Sequence, residues 1–368
     1  MNSSQMVPTV HDHVSCEIII TNLCNLKCDY CIARDLPGPP MNAEVGRKVI
    51  DMFVYLAEGA TTADFIFTGG EPLTEFEVLK ELIEYAQKLT DDVGIQANFI
   101  LKTNGTILNQ DILNFLRSKP VTVVVSLDGT SVSHDTHRKT RDSLNGSHNI
   151  VCSNLKTFLD NNISCVSSVT VHPEFSKSVL ENVCYLHEFG MNQIDIGPAY
   201  GTVSWSDTEI IDFTNSLLDV AQYVRDVNNN GTQIDVGPLY RTSDHVDGNL
   251  SSYWGCHAAS KNLAFLPNGQ VTGCSALAML VSRFPELIIG DISSGLEQSS
   301  IDNLVQLAQA NGEQRPACSK CATAINCTGG CLAINYSTSG LALTPPEMYC
   351  KTISIIPMAW RKAWLINE

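Results

Sequence analysis

The chain has 368 residues, with 23 Lys and Arg against 39 Asp and Glu for a net charge of −16, and 44% of it is hydrophobic. That length allows one large domain, or a large and a small one, with ample material for a core. The acid excess repels phosphate backbones and argues against a nucleic-acid partner. There is no apolar run long enough to span a bilayer and no signal-peptide core near the start, so a cytoplasmic protein without a membrane partner is expected.

Fourteen cysteines are many for a cytosolic chain. Without a secretion signal to favour disulfides, metal is the better reading. Cys16, Cys152, Cys165 and Cys184 sit singly in apolar strands or helices and read as small buried hydrophobes. The rest fall into two spaced sets.

The first set follows an apolar, β-branched run, Cys16-Glu-Ile-Ile-Ile-Thr21, which predicts a buried strand. It feeds the stretch T-N-L-C-N-L-K-C-D-Y-C-I, with thiols at Cys24, Cys28 and Cys31. Three thiolates leave a four-iron cube one ligand short, and the open iron can bind a small molecule through nitrogen and oxygen. A zinc knuckle would need a fourth protein ligand nearby. The nearest histidines, His11 and His13, lie on the wrong side of the strand.

A turn-rich break at Pro37-Gly38-Pro39-Pro40 precedes a helical pattern opened by Asn42 and running through Leu56. The strand Ala63 to Thr68 runs into Gly69-Gly70-Glu71-Pro72, and a helix is expected from Leu73 to Leu89. Strands at Ile95 to Thr103, Val121 to Ser126, Ser164 to Val171 and Gln193 to Ile196 alternate with helices at Asp111 to Leu116, Asn149 to Leu159 and Ser176 to Phe189. Such alternation predicts right-handed βα units in an α/β parallel sheet, either open and doubly wound or curled into a barrel. An amphipathic helix from Trp205 to Asn230 ends at Asn228-Asn-Asn-Gly231, and 243–252 is polar and loop-like. The natural cut lies near residues 230 to 250, giving units 1–235 and 236–368.

The spacing C-x3-C-x-Φ-C, with Tyr30 before the third cysteine, resembles the signature of the radical S-adenosylmethionine (SAM) superfamily. The resemblance implies a partial (β/α)6 TIM barrel with its site at the carboxyl ends of the strands. It also implies an open iron that chelates the amino and carboxylate groups of SAM and releases a 5′-deoxyadenosyl radical on reduction. Gly69-Gly70-Glu71 resembles the GGE motif that holds the SAM ammonium, and Asn104, in Thr103-Asn104-Gly105 after the third strand, joins the implied SAM contacts. Ser126 and Asp128 are similar to the SxDG segment that reaches the ribose or methionine end, although Asp128-Gly129 also reads as a plain turn. Arg138 matches a position near the SAM carboxylate. His134 and His137 read as helix-surface or hydrogen-bonding residues rather than metal ligands.

The second cysteine set fills the last third. Cys256-x12-Gly269-x4-Cys274, then Cys318-x2-Cys321-x5-Cys327-x3-Cys331, then Cys350 resembles the SPASM extension of radical SAM enzymes. This implies two auxiliary [4Fe-4S] clusters beside the SAM-binding one. Cys318, Cys321, Cys327 and Cys350 would hold the outer cluster, and Cys256, Cys274 and Cys331 the inner. Seven thiolates cannot fill eight places, so a non-cysteine group such as His257 closes the inner site or an iron stays open. A zinc ribbon is the alternative reading of the C-x2-C pair. Leu263 to Thr272 predicts a hairpin turning at Asn268-Gly269.

Three oxidoreductase-type branches follow from the resemblance. Sulfatase-maturating relatives, which oxidise a Cys or Ser in a protein, carry Gln-Thr-Asn-Gly-Thr and an Asp after the G-x4-C cysteine. This chain has Lys102-Thr-Asn-Gly-Thr106 and Ser275. Peptide maturases that crosslink ribosomally synthesised peptides often carry Phe-Thr-Gly-Gly-Glu-Pro and a Gly-Gly-Cys-x-Ala-x-Asn-Tyr ending, which Phe67 to Pro72 and Gly329 to Tyr336 resemble. Dehydrogenases of small alcohols form the third branch, and a non-catalytic iron-sulfur or zinc scaffold is the reading outside enzymes. The peptide maturase is favoured, with a peptide or protein substrate and an electron donor such as flavodoxin or ferredoxin. Only fifteen residues precede Cys16, so leader recognition is expected from a separate protein or by direct contact with the core peptide.

Overall fold

The computed structural model describes residues 12–35, 38–237, 256–310, 314–315, 318–321, 327 and 330–364. Strands β1 (His13–Thr21), β2 (Thr62–Gly69), β3 (Gln96–Thr103), β4 (Val121–Ser126), β5 (Cys165–Val171), β6 (Gln193–Pro198) and β7 (Asp235–Gly237) pair in parallel, in chain order. That order decides between the two sheets left open by periodicity. A doubly wound sheet reverses its strand order at a switch point. Here the order never reverses, so right-handed crossovers keep the helices on one face and the sheet curls as a partial barrel.

The helices of that face are α1 (Ala43–Leu56), α2 (Phe76–Val93), α3 (Gln110–Ser118), a short α4 (Ser131–Asp135), α5 (His148–Asp160), α6 (Val179–Phe189) and α7 (Asp207–Asn229). Asn42 caps α1 by accepting the Val45 N–H at 2.9 Å, and Ser206 with Glu209 forms a capping box on α7. The segment expected to be helical from Leu73 starts instead as a 3-10 turn, Pro72–Glu75, because Glu71 turns back to accept the Leu73 N–H. The following helix passes Leu89 and stops at Gly94, whose φ of 77° makes a left-handed cap. Phe53 meets Phe65 edge to face, and Phe65 packs tilted against Phe99, between α1 and the sheet.

The last third joins the same sheet. β8 (Asn262–Phe265) pairs in parallel with β1 and in antiparallel with β9 (Gln270–Thr272), turning where the Asn268-Gly269 signal predicted. β10 (Gly290–Asp291) and β11 (Gly295–Leu296) extend that edge. With β2 on one side and β8 on the other, β1 is interior to the sheet, which explains its buried, β-branched run. The helix Glu347–Trp364 packs on α7. The expected cut near residues 230 to 250 falls largely outside the described residues, as do 243–252, Pro37, His11 and Gly329. No described helix is long and apolar enough to cross a membrane.

Candidate active site

The carboxyl ends of the strands surround a cavity of about 720 Å³ into which Cys24, Cys28 and Cys31 face. This volume lies in the range of small-molecule sites. Cys24 Sγ receives the Leu26 N–H at 3.4 Å and the Asn104 side-chain amide at 3.7 Å. Donors aimed at sulfur suit a metal-bound thiolate and tune its charge. Burial pushes the Cys28 thiol up to about 12, against the opposing pull of Arg138. A metal taking these ligands therefore displaces their protons. The loop fits an iron-sulfur cube held at three corners.

The Gly69-Gly70 turn lies directly on the chain that enters the cysteine loop. The Gly70 N–H donates to Thr21 O at 2.7 Å, and the Glu71 N–H donates to Leu23 O at 2.8 Å. A Cβ on Gly70 would sit 2.2 Å from Leu23 O, and one on Gly69, at φ +139°, 2.3 Å from Thr21 O. Glycine is required here by close backbone approach. Gly70→Ala is expected to push the turn and the loop apart and to lower iron in the first cluster while sparing the second set. Iron counting with electron paramagnetic resonance checks it, and an unchanged first-cluster signal would remove this role.

Two of the seven expected SAM contacts, Glu71 and Asp128, have side chains hydrogen-bonded inside the protein. The Glu71 carboxylate is fully buried and accepts from Leu73 N–H at 3.0 Å, Thr103 Oγ1 at 2.8 Å and Asn104 N–H at 2.7 Å. It ties the end of β2 to the end of β3 and is absent from the cavity wall. Burial raises its carboxyl to about 7, although all three donors favour the charged form. Asp128 also lies behind the wall. Its carboxylate takes Arg138 Nε at 2.7 Å and Nη2 at 3.0 Å, the Tyr30 hydroxyl at 2.7 Å and the Thr170 N–H at 2.8 Å. Burial would raise this carboxyl, but the Arg138 charge and its hydrogen bonds outweigh it and hold it below the usual range. Gly69, Gly70, Asn104, Ser126 and Arg138 do line the cavity.

His134 is not on the surface. It is fully buried, receives the Asp128 N–H and bonds Ser147 Oγ at 2.9 Å, and burial pushes it down to about 3. His137 is also buried, against His172. Cys16 is the buried hydrophobe expected, whereas half-buried Cys152 contacts His148 Nε2 at 3.5 Å and the Tyr185 hydroxyl at 3.7 Å.

In the last third, Cys256 and Cys331 lie close enough to Cys274 to oppose its ionisation, and Cys318, Cys327 and Cys321 do the same to Cys350. The resemblance assigns these cysteines to an inner and an outer cluster. Burial is the larger cause in both cases, raising Cys274 and pushing Cys350 up to about 11. Buried Arg315, its Nε donating to Ala310 O at 3.0 Å, has its charge near both Cys256 and Cys318. The cavity wall continues to Tyr200, Ser275 and Met279, so the cysteine loop and the segment after Cys274 face one space.

Sequence reasoning missed several side chains at this site. Lys102 and Asp195 line the cavity on β3 and β6, and burial raises the Asp195 carboxyl while Lys102 opposes the rise. Glu17 on β1 is buried and accepts a hydrogen bond from the Ser275 hydroxyl. Period-2 alternation could have placed Lys102 and Asp195 on one face of their strands. No local signal joins Glu17 to a residue so far away in the chain.

A parallel partial barrel with a three-thiol loop at the carboxyl end of its first strand is a scaffold suited to an iron-sulfur cluster beside a cavity. Residues 18–186 match the family described as the Radical SAM superfamily. The matched segment is a radical SAM domain, of a superfamily that uses S-adenosylmethionine and a [4Fe-4S] cluster, and the C-terminal cysteines are consistent with auxiliary clusters. The chain is similar to the radical SAM cyclopropyl synthase TigE of Paramaledivibacter caminithermalis, at 23% identity over 86% of this chain and 67% of that protein. It is also similar to a cysteine-type anaerobic sulfatase-maturating enzyme of Clostridium novyi, at 30% identity over 36% of this chain, spanning only 37% of that enzyme. The fold superposes on anSMEcpe with bound AdoMet and Cp18Cys peptide at a TM-score of 0.77, with 20% identity, 95% of this chain and 96% of that one.

Proposed function

We propose that this enzyme modifies a peptide, forming a thioether or carbon-carbon crosslink in a ribosomally synthesised chain. The observation that carries the reading is the single cavity shared by the three-thiol loop and the segment after Cys274. A substrate bound there meets the radical-forming site on one side and an auxiliary cluster on the other. When bound, SAM and its cluster supply a deoxyadenosyl radical that abstracts hydrogen from substrate carbon.

The chain's own residues orient and enclose. The SAM ammonium, a donor only, is suited to carbonyl oxygens of the Gly69-Gly70 turn rather than to Glu71, whose charge stays behind the wall. Ser126 and Arg138 face the cofactor end. Ile66, Ile100 and Val124 form an apolar floor, with Lys102 and Asp195 as the polar handles that fix the substrate. An electron donor such as flavodoxin or ferredoxin, a cytoplasmic setting and a separate leader-binding protein belong to this reading.

A second reading, oxidation of a protein Cys or Ser, gains from the Glu17 to Ser275 hydrogen bond. Ser275 replaces the acidic residue of sulfatase maturases, and Glu17 brings a carboxylate to the same place from another strand. Anaerobic co-expression with a short Cys-rich peptide from a neighbouring gene, followed by mass spectrometry, tests the first reading. Loss of hydrogen with a new crosslink supports it, and an aldehyde in place of a Cys or Ser side chain would favour the second.

Cys331→Ala is expected to remove the inner auxiliary cluster and stop product formation while leaving SAM cleavage uncoupled from it. Product and deoxyadenosine measured in one reaction check this; full product formation would make the inner cluster dispensable.

A further inference from the structure

Outside the cavity, the turn after β5 meets the segment after α4. His137 is buried to 5% exposure, and its Nδ1 lies 2.9 Å and 3.1 Å from the two oxygens of Asp29. Donation from Nδ1 to that carboxylate leaves the lone pair on Nε2. Nε2 has no hydrogen-bond partner and faces Glu174 Oε2 at 3.5 Å. A buried lone pair opposite a carboxylate oxygen is unfavourable unless a proton or a metal cation lies between them, and the second histidine beside this pair suits the metal. His172 stacks on His137 with ring centroids 3.8 Å apart, and ligand atoms of His137, His172 and Glu174 all lie within 4.8 Å of one another.

We propose that His137, His172 and Glu174 bind a divalent first-row transition ion that clasps the cluster loop to the turn after β5. Two atoms 3.5 Å apart, each about 2.1 Å from an ion, subtend an angle close to tetrahedral. Two imidazoles and one carboxylate suit zinc or iron and leave positions for water. Asp29 is the outer carboxylate that orients a ligand histidine, and it stands between Cys28 and Tyr30, so the clasp reaches the cluster loop without using iron. His172 Nδ1 accepts the Glu174 N–H at a long 3.3 Å, a bond that ligation through Nδ1 gives up and ligation through Nε2 keeps.

The test uses anaerobically reconstituted protein, whose cysteines are filled with iron and sulfide, equilibrated with Zn2+ and then desalted. Metal analysis is expected to find about one retained zinc per chain, and none in His137→Ala or Glu174→Gln at unchanged iron content. Asp29→Asn is expected to weaken zinc binding about 10- to 100-fold, as loss of an outer-shell partner does. Glu174 is largely exposed, so its variant reports even where His137→Ala fails to fold. Wild-type protein that keeps its iron but no zinc overturns the site, as does equal zinc in wild type and both ligand variants.

Discussion

Replacing Cys24, Cys28 and Cys31 together by Ala is expected to reduce deoxyadenosine release to the buffer blank. All three thiols face the cavity, and Asn104 and Leu26 place donors on the sulfur of Cys24. Without them no iron stands where SAM would be chelated. The second cysteine set lies on separate segments of the last third and is expected to keep its own metal. Iron should therefore fall from about twelve to about eight per chain, at four per cube. Complete loss of iron would show that the two sets do not fill independently. Persistent deoxyadenosine would move the radical site elsewhere.

The second large effect is on stability. Arg138→Met and Asp128→Asn each break a buried pair and strand the partner, which costs about 3–5 kcal/mol. Arg138 is buried, lies 5.3 Å from the centre of the Tyr30 ring, and its bidentate bond to Asp128 holds the end of β4 against the cysteine loop. The double variant should lose less than the sum of the singles, because neither charge is then left alone. Thermal unfolding of the reconstituted proteins measures this, and additive losses would show that the pair is not coupled.

The pH dependence follows from the depressed Asp128 carboxyl. A carboxyl lower in the folded than in the unfolded chain contributes stability that is fully present above the unfolded value. That stability is lost as pH falls through the folded one. Asp128→Asn should accordingly flatten the acid limb of the stability profile.

The cysteine sets were legible because metal ligands must recur at short, fixed spacings, and the strands because their apolar runs alternate with helical patterns. Glu71 and Asp128 stand at motif positions after β2 and β4, where the resemblance implies cofactor contacts. Whether a carboxylate there turns inward or into the cavity depends on the donors that meet it. Those donors, from Thr103 and Asn104 in one case and from Tyr30, Arg138 and Thr170 in the other, lie far along the chain. Sequence suggests a helix-surface or hydrogen-bonding role for His137, because His172 and Glu174 adjoin it only through the barrel.

By itself, then, the amino-acid sequence determined the chemistry this protein can hold: three thiols around an open corner, seven more in a second set, and βα units that make a parallel sheet. Local spacing and periodicity suffice for these, since each is set by neighbours in the chain. Tertiary structure alone decided the unreversed strand order that curls the sheet, the inward turn of Glu71 and Asp128, and the meeting of Glu17 with Ser275 and of His137 with His172. Each of these joins residues far apart in the chain, and a buried charge or lone pair takes whatever partner the packed strands bring to it.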